Sequence, residues 1–558
     1  MDIATFYTFL YTLWAVPTVL FSSAGRPSTG GISQFKVRSL PDSAPMPPSW
    51  AGRLPVPETE EGNALFFWLF EAEDPGYNEN LIIWFNGGPG CSSLIGLTTG
   101  TGPILFNGTS TQLVRNPHSW TKLGHVLYVD QPTGTGFSTA SAPYPVQDQD
   151  RATDDFYRWL KSFLTRFSHL RSKRIHLIGE SYAGIYIPYL AAAILDNNDL
   201  FPIDLRSISL GDATIGNPAA MSAATIAPYL RAQRNLLRMP EEILSSFNEA
   251  EHTCGYDKLV HEADHFPPQG KFHVPGNPEN LNFRRDGLQQ HQQGSHYRRG
   301  LGTLYNETCN THPTTKETVL ASILNSTCNG PCATFATAIN YLNTIVEEAS
   351  STNKTDPPDT ENQTCFDIYD INNDCNTIDP LPLQATYFSR PDVQKALNLP
   401  PAPGSTSREY SPCNKTILDT LLAEQPTPPA YNLLPRIATK HNLPVHVYSG
   451  EYDMLINHIG TELALQNMTW KGAQGFSRPL NSSVFYADDA AATSTTSTTA
   501  TGLTGFGCRG GEPDCEEAGT WISERGVSYH LFRGAGHTVF AKKPREMFAY
   551  VRDVVVAG

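Results

Sequence analysis

Positive charge is in short supply in this sequence: forty Lys and Arg face fifty-five Asp and Glu over 558 residues, a formal net charge of −15. Nucleic acid and anionic membrane surfaces are gripped by clustered cations, so neither is an expected partner. Long apolar runs are also scarce. One opens the chain, Phe6–Phe21, and no later run approaches the ~18–20 residues that span a bilayer. No internal repeat is visible, and the C-terminus carries neither a hydrophobic anchoring tail nor an ER-retention signal. The Cys328-x3-Cys332 pair lacks the matching His/Cys half of a zinc site, so no metal and no cofactor is expected. Disorder is excluded too, because hydrophobic residues make up 40% of the chain and charged ones only 17%.

What is present points to export. Phe6–Phe21 runs into Ser22-Ser23-Ala24-Gly25, the pattern of a signal peptide over residues 1–24, although Asp2 stands where a basic residue is usual. Residues 25–60 are rich in Pro, Ser and Gly and read as an extended lead-in or pro-segment. Ten cysteines, an even number, allow up to five disulfides in an oxidising compartment. Glycosylation acceptors occur at Asn107, Asn306, Asn325, Asn353, Asn362, Asn414, Asn467 and Asn481. Their crowding between Asn306 and Asn414 marks that stretch as largely surface.

Strand-like runs at Ala64–Glu71, Leu81–Phe85, His125–Asp130, Arg174–Ile178 and Ser207–Leu210 alternate with helical stretches. Asp150–Arg166 places Phe156, Trp159, Leu160 and Phe163 on one helical face, and Ala183–Leu195 is the other clear helix. Such alternation predicts an α/β fold, with a mostly parallel central sheet covered on both faces. The core spans 61–218 and resumes at 431–558, with strands at Pro444–Ser449, Trp521–Ser523 and Ser528–Phe532. Between them, residues 219–430 read as a large helical and loop insertion, or cap; 284–293 lacks a core pattern, and 488–504 is a low-complexity loop.

The strand Arg174–Ile178 enters Gly179-Glu180-Ser181-Tyr182-Ala183-Gly184 and then a helix. That is the nucleophile elbow, a turn so tight that the residues two before and two after the serine must be small. Such a serine needs a base and an orienting acid. Asp453, after Ser449-Gly450-Glu451-Tyr452, and His537, after Gly534-Ala535-Gly536, both lie just past strand ends and in the order Ser, Asp, His.

With these motifs stand Trp84-Phe85-Asn86-Gly87-Gly88-Pro89-Gly90-Cys91-Ser92-Ser93 and the run Val129–Ser138. From about Ser49 onward the chain resembles the serine carboxypeptidases, secreted and vacuolar exopeptidases with an α/β-hydrolase fold. The resemblance implies an acyl-enzyme mechanism on peptide or protein C-termini, with Ser181, Asp453 and His537 catalytic and the Gly88 and Tyr182 amides as the oxyanion hole. It assigns the substrate's terminal carboxylate to Trp84, Asn86, Gly87 and Glu180. A Glu facing a carboxylate repels it unless one of the two is protonated, so acidic conditions are expected to favour the reaction. The resemblance also implies a Cys91–Cys413 bridge; two short-loop bridges, Cys365–Cys375 and Cys508–Cys515, complete the expectation. An acyltransferase, an esterase or a non-catalytic relative on the same scaffold are the competing readings.

At three places the chain departs from the family pattern. Gly100 stands where a second Glu is usual, which predicts a weaker or shifted pH dependence, with Thr98, Thr99 or Thr101 as candidate substitutes. Thr538-Val539-Phe540 replaces Met-Val-Pro after the histidine, and Ile456 stands where some relatives carry Cys, predicting low sensitivity to mercurials.

Overall fold

Runs of buried β-branched and aromatic residues build one eleven-stranded sheet in a computed structural model. It describes residues 31–141, 146–275, 313–324, 332–352, 365–373, 379–400, 409–424, 426–487 and 515–557. Numbering the strands of this sheet alone, β1 is Lys36–Val37, β2 Ser49–Pro55, β3 Ala64–Phe70, β4 Asn80–Phe85 and β5 His125–Asp130. Then follow β6 Arg174–Glu180, β7 Leu205–Gly211, β8 Val445–Gly450, β9 Ser483–Ala487, β10 Glu516–Glu524 and β11 Val527–Phe532. Their spatial order is β1-β2-β3-β5-β4-β6-β7-β8-β11-β10-β9. The central run β5-β4-β6-β7-β8-β11 is parallel. Both flanks are antiparallel. Every residue of β4, β5 and β8 is buried, the continuous pattern of strands covered on both faces.

On one face lies helix α1, Gln149–Arg166, whose Asp148 side chain accepts the Arg151 amide at 2.7 Å and satisfies an otherwise orphaned donor. Its Trp159 and Phe163 rings stack at 5.1 Å within the core. Helix α2, Ala183–Asp196, shares that face and starts directly behind the elbow. The other face is covered by α3, Pro544–Tyr550, and is partly polar. There His176 bonds Ser207 Oγ and His446 bonds Ser528 Oγ, each at 2.8 Å, while the buried His530 ring packs edge-on to Tyr550 at 5.0 Å.

The chain leaves the sheet after Gly211 and rejoins it at Val445. The intervening helices Glu241–Thr253, Lys316–Leu324 and Thr334–Thr352 gather a separate apolar cluster around Phe247, Ile323, Ile339 and Leu342. A Cys254–Cys332 disulfide, not foreseen from the sequence, ties this region together, so Cys332 serves as a bridge. The expected Cys91–Cys413 bridge is present. Cys365 and Cys515 are also disulfide-bonded; Cys375 and Cys508, their expected partners, lie outside the described residues. So do the expected signal peptide, the stretch 284–293 and the tract 488–504.

One expectation needs refinement. Within the supposed lead-in, β2 pairs with β3 over seven residues, from Ser49–Phe70 to Pro55–Ala64, and β1 pairs with β2. Pro- and Gly-rich composition hid these strands because they lie near an edge, where ladder donors are dispensable.

Candidate active site

Four neighbouring parallel strands deliver four polar side chains to one rim: β6 to Ser181, β7 to Asp212, β8 to Asp453 and β11 to His537. At the elbow Ser181 adopts φ 61°, a left-handed conformation that costs a non-glycine residue roughly 1–2 kcal/mol. Three hydrogen bonds hold it there. The Ser181 amide donates to Gly211 O at 2.9 Å, and its carbonyl accepts Gly184 N at 2.9 Å and Thr214 N at 3.1 Å.

His537 Nδ1 and Asp453 Oδ2 are 2.6 Å apart, with both residues buried. The second Asp453 oxygen accepts the Leu455 and Ile456 amides at 2.9 and 3.2 Å, so the carboxylate is fixed by its own turn. Ile456 therefore contributes its amide there. Burial by itself would make His537 less basic; the Asp453 carboxylate outweighs that and lifts its pKa to about 9.

Beside the serine, Trp84 Nε1 donates to Asn86 Oδ1 at 2.7 Å, and Asn86 Nδ2 donates to Glu180 Oε1 at 2.7 Å. Gly96 N also donates to Asn86 Oδ1, at 2.9 Å, which fixes the orientation of the amide. Glu180 Oε2 is buried without a partner among the described residues. Burial is the main reason the Glu180 pKa rises to about 7, and the nearby His537 opposes the rise. Gly87 passes so close to the elbow that a Cβ there would lie 2.6 Å from Tyr182 N and 2.7 Å from Ser181 Cβ. Only glycine brings the Gly87–Gly88 backbone alongside the Tyr182 amide.

The sequence departures turn out to be coupled. A Cβ on Gly100 would sit 2.5 Å from Phe540 O and 2.7 Å from the Phe540 ring, which packs edge-on to Trp84 at 5.0 Å. Phe540 thus fills the space that a side chain at position 100 would need. The candidate substitutes are already engaged: Thr98 Oγ1 accepts from Gln384 Nε2 at 2.7 Å and bonds Leu94 O, Thr99 bonds Ile95 O, and Thr101 bonds Tyr128.

Three features escaped the sequence reading. Asp212 is fully buried beside these groups. Asp130 accepts Ser92 Oγ at 2.6 Å, Ser93 N at 3.1 Å and Phe137 N at 2.9 Å, and so joins the two glycine-rich motifs. The segment Cys365–Asn373 straps the Asp453 and His537 turns: Ile368 O accepts Met454 N at 3.1 Å and Tyr369 O accepts His537 N at 2.7 Å. Only the high density of Asp and aromatic residues in that segment could have drawn notice.

Of the glycosylation acceptors, Asn107 and Asn481 are exposed. Asn414 is half-buried and donates its side-chain amide to Gly134 O at 3.0 Å, and Asn467 Oδ1 accepts Phe272 N at 3.0 Å. Asn306, Asn325, Asn353 and Asn362 lie outside the described residues.

A parallel sheet with an elbow serine and a His–Asp pair at its carboxyl rim defines an α/β hydrolase. The family model for serine carboxypeptidases matches residues 45–557, and the chain belongs to that family. It is a serine-type carboxypeptidase, a hydrolase that acts on peptide C-termini. A carboxypeptidase Y homolog of Arthroderma benhamiae is 43% identical over 538 residues, covering 95% of this chain and 94% of that one. Serine-type carboxypeptidase F of Aspergillus niger is 28% identical over 81% of this chain and 75% of its own. The crystal structure of Kex1Δp, a prohormone-processing carboxypeptidase of Saccharomyces cerevisiae, has the same fold: TM-score 0.62 at 21% identity, covering 94% of this chain and 96% of that one. The disulfides fit passage through the oxidising secretory pathway. No helix among the described residues is long and apolar enough to cross a membrane.

Proposed function

We propose that this carboxypeptidase releases single C-terminal amino acids through an acyl-enzyme on Ser181 and works best in acid. Ser181 Oγ attacks the last peptide carbonyl while neutral His537 takes its proton; because Asp453 raises the His537 pKa, acid favours substrate binding through Glu180 rather than this step. The imidazolium then protonates the departing amine, and Asp453 holds the tautomer and offsets the charge. The Gly88 and Tyr182 amides stabilise the oxyanion; one such donor is worth on the order of 3 kcal/mol in the barrier. Water then repeats the sequence and frees Ser181.

The observation that carries the exopeptidase reading is the Trp84–Asn86–Glu180 chain, which sets a buried carboxyl one residue from the nucleophile. With its pKa near 7, Glu180 is protonated in acid and can donate to the substrate's terminal carboxylate, while Trp84, Asn86 and the Gly87 backbone shape that receptor. Residues 1–24 are removed as a signal peptide and the mature chain is secreted or vacuolar, with 219–430 acting as a cap over the rim.

The test is a pair of N-blocked dipeptides, one with a free C-terminus and one amidated, assayed at pH 5 with and without fluorophosphonate labelling of Ser181. Release of the free amino acid only from the first, lost on labelling, is the expected result. Equal cleavage of the amide would refute the carboxylate receptor. An enzyme that accepts the label on Ser181 but, unlabelled, only transfers acyl groups or cleaves esters would favour the competing readings.

A further inference from the structure

Asp212 occupies a position that local energetics disfavour twice. Its backbone is left-handed, at φ 42°, and its carboxyl is fully buried with Oδ2 unpartnered among the described residues. A strained non-glycine backbone and an unsatisfied buried polar atom each cost stability. Features of this kind persist where surrounding structure over-determines them, and they cluster at functional sites.

The surroundings show what holds it. In the sheet, Gly211 pairs with Glu180 on one side and with Tyr448 on the other, so Asp212 emerges level with Ser181 and next to the root of the Asp453 turn. The dipeptide Gly211-Asp212 bonds both turns. Gly211 O accepts the Ser181 amide at 2.9 Å, Asp212 N donates to Tyr448 O at 2.8 Å, and Asp212 Oδ1 accepts Gly450 N at 2.7 Å. Gly450 O in turn accepts Asp453 N at 3.4 Å. Gly450 is also pressed against the histidine turn, since a Cβ on it would lie 2.2 Å from Gly536 O. The Asp212 carboxyl therefore fixes a glycine that touches both the acid's turn and the base's turn. Glu180, Tyr448, Asp453 and His537 surround it, and burial beside the Asp453 carboxylate favours its neutral form.

We propose that Asp212 is a positioning residue: its carboxyl oxygen, acting through the Gly450 amide, sets the distance between Ser181 and the Asp453–His537 pair. This rests on the reading of Ser181, His537 and Asp453 given above. Without that acceptor the Gly450 amide is left unpaired and the two turns can drift relative to the elbow, and a displacement of about 1 Å lowers turnover up to ~100-fold.

The experiment compares wild type with Asp212→Gly, which relieves the backbone while deleting the carboxyl, with Asp212→Ala, and with Asp212→Asn, which tolerates the left-handed backbone and keeps an oxygen acceptor. Three readouts are taken on the full chain: kcat and KM on a blocked dipeptide, the fluorophosphonate labelling rate of Ser181, and Tm. The expected result is a kcat and labelling rate about 10–100-fold lower in the folded Gly or Ala variant, KM within about twofold, and recovery of most of that loss in Asn. Loss of Tm alone, with kcat and labelling at the wild-type level in Gly or Ala, overturns the proposal. So does an Asn variant that melts like wild type yet labels as slowly as Gly, or a failure of both deletions to fold while Asn is kinetically normal. Wild-type enzyme that labels but releases no amino acid would instead break the carboxypeptidase mechanism, and the labelling comparison would still judge Asp212.

Discussion

The carboxyl rim of the sheet and the histidine row beneath α3 are both buried and both titratable, yet burial drives them in opposite directions along the pH scale. At the rim, Glu180 rises to about 7 and Asp212 well above its ordinary range, because desolvation disfavours a carboxylate. In the row, His176 falls to about 3 and His446 to about 4, chiefly through burial, and His530 is lowered as well. The three lie on one face of β6, β8 and β11, and once charged His446 repels both others. In each region burial selects the neutral form; for an acid that form carries the proton, and for an imidazole it does not. The rim thus gains stability from acid and the row loses it. Acid that keeps Glu180 neutral therefore also approaches the pH at which the histidines of the same sheet begin to charge.

The largest expected effect is in the row. Each histidine has a folded pKa below its unfolded value of 6.5, so its contribution is intact above that pH and is lost as the pH falls toward 3–4. For His176 and His446 this amounts by pH 5 to about 2 kcal/mol each, roughly 30-fold in the unfolding equilibrium. Denaturant unfolding between pH 7 and 4.5 should show the loss, and His446→Gln should remove about one proton from its slope. An unchanged slope in that variant would dissolve the contrast between the regions.

A smaller effect is expected at the rim. As pH rises past about 7, Glu180 ionises and meets the substrate's carboxylate, so KM for a free-C-terminal peptide should climb about tenfold by pH 8. Glu180→Gln should hold KM level over that range. A wild-type KM that stays flat would mean that Glu180 does not face the terminus.

The smallest effect tests how many acids the rim holds. Gly100→Glu alone should lower Tm, because its Cβ meets Phe540 O at 2.5 Å. Paired with Phe540→Pro, which removes the ring contact but not the carbonyl one, it should regain part of that Tm and steepen the KM–pH curve by about two- to threefold relative to Phe540→Pro. If the single variant melts like wild type, Phe540 does not occupy that space.

How much was legible in advance follows from how local each signal is. Strands β4, β5, β6 and β8 and helices α1 and α2 could be read to within about two residues, since their periodicity lies within one segment. Ser181 was visible because Gly-x-Ser-x-small after an apolar run is a short-range pattern, and Asp453 and His537 followed from their places after strand ends. Asp212 was not visible. Gly211-Asp212-Ala213-Thr214 reads as an ordinary turn, and its partner Gly450 lies 238 positions away. Phe540 was noted as an oddity beside the histidine, but nothing in the chain connected it with Gly100. Likewise Asn414 reads as a glycan acceptor, whereas in the fold its amide bonds Gly134, 280 positions distant.

The amino-acid order alone settled which segments become strands and helices, where the elbow turns, and in what succession Ser181, Asp453 and His537 arrive, because each depends on neighbours a few bonds away. The tertiary structure alone decided that Phe540 fills the space at Gly100, that Asp212 braces two turns, and which buried acids and histidines give up their charge. Those outcomes depend on strand register and on the removal of water by remote segments, and no short stretch of chain encodes either.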